Sequence, residues 1–482
     1  MMEGNTMKKL ASLLLCVAML LSVMAFAGSA LAESEKVVLA MPSVYDMTDT
    51  PEVQDAINAI TEEKYGISFE LLFVPIGNWT QQSNLLLTGD EVDITAIFGT
   101  PLSVFVKNGQ IINLDEYYAN ASEEFKAVWS PEEMAGTSIN GEIFAVPNMR
   151  NFGNYFGLNI DAEVAAEMGI EDGQHLTMEE VDELLGKIHE AYPDRYALAP
   201  QGTDCLINQW AWDGLGDEVY IGVLPDCGQT TEVQNLFETE SFLTFAHWAE
   251  KWYNDGYIMA DILSNTESWQ TMIANKKAVT AIDNYGVNAV AGMIRTIILE
   301  PWAVANSYSA LCYGINANSA HQDAAWKAME ILYTDAEVEN LINLGIEGKH
   351  YVLNEDGTAS YPEGQVGATV GYGMAEFYWI TPYSAIAHPL DVNGPTFYED
   401  LVDFNKNRTT KSMAFGFSFD ISDVEDQYTA CTNIMNKYYH ALMSGSVPVD
   451  DIIAQANAEF EAAGLGDIIA AKQAQLDAYL GK

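Results

Sequence analysis

The chain has 482 residues, more than one hydrophobic core usually organises, so at least two lobes are expected. Apolar residues make up 49% and aromatic residues 11%, which excludes a disordered chain. Asp and Glu number 69 against 21 Lys and Arg, and the formal net charge of −48 disfavours nucleic acid and anionic membrane surfaces as partners.

The N-terminal segment is typical of a secretory signal peptide. Two lysines precede an apolar run over residues 10–27, and an A-x-A pattern ends at Ala32. We expect cleavage near Ala32 and a secreted mature chain; an uncleaved membrane anchor is the alternative. Cys16 follows three leucines rather than a small residue, so no lipobox cysteine is indicated.

Three short apolar runs alternate with two amphipathic segments at the start of the mature chain. The runs are 36–41, 68–74 and 94–98, and the segments are 50–65 and 79–88. This βαβαβ order predicts a mostly parallel sheet covered by helices. Ligands bind beyond the carboxyl ends of strands in such sheets, so the loops at 43–46 and 98–103 are expected to face a binding site.

Two capping boxes mark helix starts farther along the chain. Ser130 with Glu133, and Thr177 with Glu180, each place a Glu at the third helical position. Breaks near 147–153 and 283–302 predict crossings and a hinge between lobes. A second α/β lobe and a helical end are indicated by predicted helices at 177–192, 241–254 and 268–275, a strand at 279–282, and helical apolar spacing over 421–480.

Common catalytic and phosphate-binding motifs are absent from the sequence. It contains no H-E-x-x-H, G-x-S-x-G, C-x-x-C or P-loop pattern, and its seven histidines lack metal-ligand spacing. We therefore expect no catalytic site, no metal and no cofactor. Cys205 and Cys227 could form a disulfide, although separate thiols are favoured.

Aromatic residues beside polar ones suggest carbohydrate binding. Trp210 and Trp212 stand next to Asp213 in the sequence NQWAWDG. A flat ring stacks on the C–H face of a sugar while Asn, Asp or Arg side chains bond its hydroxyl groups. Core packing is the alternative for each of these tryptophans.

Two segments resemble a known protein family. HQDAAWKAMEILYTDAEVENLINLGIEGKHYVLNEDG, at 321–357, resembles the family 1 extracellular solute-binding proteins of ABC importers. FSFDISDVEDQYTACTNIMNKYYHALMSGSV, at 417–447, resembles the C-terminal domain of unknown function of their long lipoprotein-type members. Weaker similarity to the same family covers nearly all of the remaining mature chain. Within the family, the chain is similar to the maltodextrin-binding branch. The missing lipobox cysteine departs from those relatives.

The resemblance implies an α/β, two-lobed clamp of the periplasmic-binding-protein type. Each lobe would be a mostly parallel sheet flanked by helices, and a helical C-terminal extension would follow. The implied parts are a signal peptide at 1–32, a first lobe at 33–149 and 303–372, a second lobe at 150–302 and 373–420, and a helical segment at 421–482 packed on the second lobe.

The resemblance also implies a function without chemistry. A monomer would capture a small solute, a mono- or oligosaccharide by preference, between closing lobes and deliver it to ABC importer permease subunits outside the cytoplasmic membrane. A secreted carbohydrate-active enzyme and a ligand-presenting sensor are the alternatives, and a polyanionic sugar should bind poorly. The implied ligand-binding residues are Tyr45, Asp46, Trp79, Phe98, Arg150, Asn154, Trp210, Trp212, Asp213, Asn284, Tyr285, Trp379 and Tyr383.

Overall fold

The computed structural model describes residues 34–205, 210–217, 219–288 and 292–482, so the predicted signal peptide lies outside the described residues. The strands are β1 Glu35–Ser43, β2 Ile67–Pro75, β3 Ile94–Phe98, β4 Ser138–Ile139, β5 Glu142–Ile143, β6 Val146–Pro147, β7 Asn154–Asp161, β8 Tyr196–Leu198, β9 Ala278–Tyr285, β10 Met293–Arg295, β11 Leu299–Ala303, β12 Leu311–Ile315, β13 Val352–Leu353, β14 Ala359–Ser360 and β15 Thr410–Lys411. The helices are α1 Thr50–Tyr65, α2 Ile76–Leu86, α3 Leu102–Lys107, α4 Asp115–Ala119, α5 Glu123–Val128, α6 Pro131–Met134, α7 Ala162–Met168, α8 Met178–Ala191, α9 Glu240–Asn254, α10 Trp269–Ala274, α11 Gln322–Thr334, α12 Ala336–Leu344, α13 Phe397–Asp403, α14 Glu425–Met443, α15 Val449–Ala463 and α16 Leu465–Tyr479.

The first sheet has the strand order β2-β1-β3-β12-β6. β1 pairs in parallel with β2 and β3, as the βαβαβ order predicts. β12 runs antiparallel to β3 and β6, and Leu311 at its start lies opposite Phe98. The ends of β1 and β3 and the start of β12 therefore share one edge of the sheet.

The second sheet has the order β15-β11-β7-β9-β8, with β10 also paired to β7. Its central strand β7 is antiparallel to β9, β10 and β11, whereas the outer pairs β8–β9 and β11–β15 are parallel. This sheet is thus mixed rather than mostly parallel as expected. Asn154, Tyr285 and Trp302 lie at one of its edges, because Tyr155 is opposite Tyr285 and Asn154 is opposite Trp302.

The chain crosses between the lobes three times; one crossing, at 404–409, leads from α13 to β15, and the other two connect the sheets at these edges. Residues 148–153 lead from β6 to β7, and residues 304–310 lead from β11 to β12. Each of these two crossings brings the chain to the edge of the next sheet that lies beside the previous one. The strand that follows starts at this edge and is therefore antiparallel to the neighbouring strand that ends at the same edge: β7 beside β9, and β12 beside β3. Residues 283–285, 293–295 and 299–302 instead belong to strands of the second sheet, so the predicted hinge segment there is wrong, and the second crossing follows Ala303.

Both predicted capping boxes are confirmed. The Ser130 hydroxyl accepts a hydrogen bond from the Glu133 backbone N–H, and the Glu133 carboxylate accepts one from the Ser130 N–H. Thr177 and Glu180 make the same reciprocal pair at the start of α8. These pairs satisfy two otherwise unpaired N–H groups in each helix, which fixes where the helices begin.

Two large hydrophobic cores underlie the two sheets. Met374, Tyr378, Ile380 and Phe397 are buried in the core of the first sheet. The assignment of 373–420 to the second lobe is therefore wrong for residues 373–403, because these side chains complete the first core. Phe417 and its neighbours do pack in the core of the second sheet.

The last three helices pack in the second core. Leu442, Phe460 and Leu476, one from each of α14, α15 and α16, are buried there. Gly464 ends α15 in the left-handed conformation, with φ of 89°, which lets α16 fold back.

The described cysteines Cys205, Cys227, Cys312 and Cys431 are free thiols, so the alternative of a Cys205–Cys227 disulfide is not realised. Within the described ranges, no helix combines the length and apolar character needed to cross a membrane.

Candidate ligand-binding cleft

The two facing sheet edges and the two crossings between them form a cleft. A small pocket is lined by residues 99–102 after β3 and by Gly216 and Ser418 of the second lobe. Groups from both lobes therefore face each other beyond the carboxyl end of β3, the place where ligands bind in α/β sheets.

The first-lobe wall carries two aromatic pairs. Tyr45, just after β1, meets Phe377 edge to face with ring centroids 5.1 Å apart, and its hydroxyl donates a 2.8 Å hydrogen bond to Glu376. Phe98 at the end of β3 lies 5.9 Å from Trp379. Burial, with help from the Glu376 carboxylate, raises the pKa of Tyr45 to about 12, so its hydroxyl stays a proton donor. All four rings are half-buried.

The second-lobe wall carries a stacked tyrosine pair. Tyr155 on β7 and Tyr285 on β9 lie 5.4 Å apart with an interplanar angle of 23°, and Phe404 packs on Tyr155 at 5.4 Å. The Tyr285 hydroxyl donates to the Thr296 carbonyl, and the Arg295 guanidinium lies 4.5 Å from the Tyr285 ring centroid. These contacts fix the Tyr285 ring beside Asn284.

Asp283 is a largely desolvated carboxylate at the end of β9. The Trp269 indole N–H donates to it at 3.0 Å and the Asn284 backbone N–H at 2.8 Å. Burial raises its pKa to about 6, against the opposing effect of these hydrogen bonds. At neutral pH this carboxylate can still accept hydrogen bonds from a hydroxyl-rich ligand.

A cavity of about 300 Å³ lies where the two crossings meet the second lobe. It is lined by Arg150, Phe152, Asn154, Gly214, Gly216, Asp217, Tyr220, Trp302, Val304, Asn306, Ser307 and Ala310. Amide, hydroxyl, carboxylate and aromatic groups are therefore all present in its wall.

Arg150 joins the two crossings rather than pointing freely into the cleft. Its guanidinium donates to the carbonyls of Asn151 and Ser307, and it lies 5.7 Å from the Phe152 ring. Burial lowers its pKa to about 10. This predicted site residue thus lines the cavity while acting as a structural bridge.

Three tryptophans of the predicted site are buried in the cores instead. Trp79 and Trp212 are fully buried, and Trp210 packs between Phe156 and Phe245 with 5% of its surface exposed. Their rings cannot stack on a ligand here, so the site prediction is wrong for them and core packing, the stated alternative, is what the structure shows.

Asp213 is also structural. It is fully buried, and its carboxylate accepts hydrogen bonds from the backbone N–H groups of Leu215 and Ala305 at 2.8 and 2.9 Å. Burial raises its pKa. Asp213 therefore ties the loop after Trp212 to the second crossing, and the prediction of direct ligand contact is wrong. Residue 209, where the resemblance implies that a cleft loop over 209–213 begins, lies outside the described residues.

The other predicted residues lie at the two edges or beside them. Asp46 is exposed after β1, Asn154 lines the cavity at the start of β7, and Tyr383 packs between Trp129 and Tyr333 at 5.8 and 5.9 Å. The structure thus brings Tyr45, Phe98 and Trp379 together on one wall and Asn284 and Tyr285 on the other.

The sequence prediction omitted several cleft groups. Tyr155 reaches its position through the β7–β9 register, and Glu376 and Phe377 through the return of the chain to the first lobe. Asp283 belongs to the loop 283–285 that the resemblance implies as part of the cleft, although it is not among the implied ligand-binding residues.

No set of three or more potential metal-ligating side chains comes together within the described ranges. The groups assembled in the cleft can stack on flat apolar faces and exchange hydrogen bonds with hydroxyl groups.

Comparison with known proteins supports this description. Residues 413–481 match the model of a domain of unknown function, DUF3502. A carbohydrate ABC transporter substrate-binding protein of Streptococcus pneumoniae is 22% identical over 457 residues, which cover 91% of this chain and 90% of that protein.

Solved structures show the same fold. The N-glycan transport solute-binding protein NgtS of S. pneumoniae matches with a TM-score of 0.80 and 20% identity, over 93% of this chain and all of that one. A solute-binding protein of Bifidobacterium longum infantis, described as binding HMO, matches with a TM-score of 0.64 and 15% identity, over 92% and 99% of the two chains. The resemblance found in the sequence is confirmed: the chain has the two-lobed fold of the solute-binding proteins of ABC importers and carries a DUF3502 domain at its C-terminal end.

Proposed function

We propose that this protein captures an oligosaccharide between its two lobes and delivers it to the permease of an ABC importer. The observation that carries the proposal is the pairing of aromatic rings with hydrogen-bonding groups on both walls of the cleft. Tyr45 and Trp379 lie beside the ends of β1 and β3 in the first lobe, and Tyr155, Asp283 and Tyr285 lie at the start of β7 and the end of β9 in the second.

These groups suit the chemistry of a sugar. Its C–H faces are apolar and stack on half-buried rings such as Trp379, while its hydroxyl groups are donors that Asp283 and Glu376 can accept. A pre-formed cleft with a few placed polar groups is the usual form of a small-molecule site.

The ligand is proposed to be neutral. Asp46, Asp283 and Glu376 place carboxylates at the strand ends that border the cleft, whereas the guanidinium of Arg150 donates to backbone carbonyls. With a net charge of −48, repulsion should disfavour uronates and phosphorylated sugars.

The relatives support the oligosaccharide class. NgtS has been solved with Man1GlcNAc and with Man5GlcNAc, and these structures match the present chain with TM-scores of 0.75 and 0.70. Delivery to permease subunits, action as a monomer without a cofactor, and secretion after cleavage near Ala32 complete the proposal.

A thermal-shift screen tests the proposal. Neutral mannose and N-acetylglucosamine oligosaccharides are compared with a uronate oligomer, amino acids and peptides. A ligand at 100 times its dissociation constant adds about 2.7 kcal/mol of stability, so a neutral oligosaccharide should raise the melting temperature. A response to amino acids or peptides alone would overturn the saccharide assignment, and turnover of the sugar would identify an enzyme.

Matched tryptophan variants locate the site. Trp379→Ala removes a half-buried ring at the cleft, and Trp248→Ala removes a half-buried ring on α9 that stacks on Trp252 at 5.9 Å. Loss of one stacking contact should weaken binding by about 1 to 3 kcal/mol, by analogy with base stacking on aromatic residues. Affinity should fall for Trp379→Ala alone; equal affinities in both variants would place the sugar elsewhere.

A further inference from the structure

Lys472 is a fully buried cation that joins the C-terminal domain to the second lobe. It lies on α16, and its ammonium donates to the carbonyls of Gly214, Ile221 and Gly222 at 3.1, 2.7 and 2.8 Å. It also forms a 3.0 Å ion pair with Asp217. One side chain of the C-terminal domain thus holds a loop 250 or more residues away in the sequence. We name it the cavity loop and define it as residues 213–217 and 219–222.

Asp217 organises the cavity loop from within. One carboxylate oxygen accepts hydrogen bonds from the Val219 N–H at 2.8 Å and from the Tyr428 hydroxyl at 2.7 Å. The other accepts the Ile221 N–H at 3.0 Å and the ammonium of Lys472. Tyr428 lies on α14, so two helices of the C-terminal domain meet at this one carboxylate.

The cavity loop forms part of the cleft. Gly214, Gly216, Asp217 and Tyr220 line the 300 Å³ cavity, whereas Lys472 is fully buried and is not among its lining residues. Lys472 therefore cannot contact a ligand in the cavity.

The back of the cavity loop also rests on the DUF3502 segment. The Phe419 N–H donates to the Leu215 carbonyl at 3.1 Å. A Cβ at Gly216, where φ is 83°, would lie 2.8 Å from the Ser418 hydroxyl oxygen. The cavity loop thus packs closely on the DUF3502 segment at Leu215 and at Gly216.

A buried ion pair contributes little to folding stability. The free energy needed to remove both charges from water opposes their mutual attraction, and apolar side chains of similar volume often stabilise a fold as well or better. The pair at Lys472 instead gives the cavity loop directional contacts, since four acceptors converge on one ammonium.

We propose that the DUF3502 domain is a positioning element of the saccharide site, in which Lys472 and Tyr428 hold the cavity loop in its ligand-ready conformation. The domain then sets affinity without touching the ligand. This inference rests on the proposed function, because the ligand class is taken from it.

The test compares Lys472→Met and Tyr428→Phe with the wild-type full chain. Titration calorimetry with the neutral oligosaccharide found in the screen should show a dissociation constant at least 10-fold higher for Lys472→Met and a few-fold higher for Tyr428→Phe. Phe460→Leu is the matched control: it lies on α15, packs on Phe237 at 5.5 Å and should lower the melting temperature without changing affinity.

Amide hydrogen exchange supplies a readout that needs no ligand. In Lys472→Met and Tyr428→Phe, the amides of Val219 and Ile221 should exchange faster, while those of the β7–β9 ladder stay protected. Unchanged affinity and unchanged exchange in Tyr428→Phe and in folded Lys472→Met would overturn the inference. If Lys472→Met does not fold, Tyr428→Phe decides alone. If the wild type binds no saccharide, the proposed function fails, and exchange still decides whether the domain holds the loop.

Discussion

Glu339 on α12 should make the protein less stable as the pH rises, and replacing it with Gln should remove that effect. Its carboxyl group is fully buried beneath the return of the chain that carries Trp379. Burial raises its pKa from 4.5 to about 8, and nearby Thr381 and the Tyr383 backbone oppose the rise only in part.

The direction of this pH dependence follows from the number of protons that the folded and unfolded states bind. Between pH 4.5 and about 8 the folded protein keeps the Glu339 proton that the unfolded chain has lost, so stability falls over this window and levels off above it. Within this window each pH unit lowers the free energy of unfolding by about 1.4 kcal/mol. Burial of Glu339 therefore lowers the free energy of unfolding by less than about 1 kcal/mol at pH 5 and by about 3 to 4 kcal/mol at pH 7.5.

Gln is neutral at both pH values and close to Glu in size. Glu339→Gln should therefore be more stable than the wild type by up to about 3 kcal/mol at pH 7.5, and by little at pH 5. Denaturant unfolding of both proteins at the two pH values measures this, and pH 5 stays above the isoelectric point of about 4.1.

Glu337 on the same helix provides the control. Its side chain is 68% exposed and pairs with Lys64, so Glu337→Gln should change stability by no more than about 1 kcal/mol. A Glu339→Gln variant that is less stable than the wild type at pH 7.5, or whose gain is the same at both pH values, would refute the reasoning.

Three further outcomes are expected. Trp79→Ala should lower the free energy of unfolding by about 3 to 5 kcal/mol and leave the affinity of the folded protein unchanged, since the ring is in the core; a large loss of affinity would contradict this. Saccharide binding should weaken as the pH falls through about 6, because Asp283 takes up a proton. Calorimetry from pH 5 to 7.5 should show this trend in the wild type and not in Asp283→Asn. A trend that survives in Asp283→Asn would exclude Asp283 as its source. Tyr45→Phe, which removes the 2.8 Å hydrogen bond to Glu376, should weaken binding by about 1 kcal/mol, and an unchanged dissociation constant would remove this pair from the site.

Local patterns were sufficient for several elements of both lobes. The predicted strand at 94–98 has the bounds that the structure gives β3, and the capping boxes at Ser130 and Thr177 form as expected. Such features depend on residues a few positions apart, so they can be derived from sequence spacing.

The strand directions of β7 and β12 could not be derived in this way. Each follows a crossing from the other lobe, and the direction of such a strand depends on which edge the crossing reaches. The return of residues 373–403 to the first core is a long-range event of the same kind.

The tryptophans show why the ligand-binding residues could not be predicted from the sequence alone. Trp212 stands between Ala211 and Asp213, a neighbourhood that suits a sugar platform as well as a core. Its burial is decided by Phe242 and Tyr220, which pack on it from distant or looped segments, and the polar Asp213 serves backbone N–H groups instead of a ligand. Residue type alone cannot distinguish these roles.

The central claim, that an oligosaccharide is held between two closing lobes, is tested most directly by small-angle X-ray scattering during titration with a neutral mannose–N-acetylglucosamine oligosaccharide. Closure about the crossings at 148–153, 304–310 and 404–409 predicts a radius of gyration that decreases and then levels off as the sites fill. A scattering curve that stays the same up to saturating sugar would contradict the account.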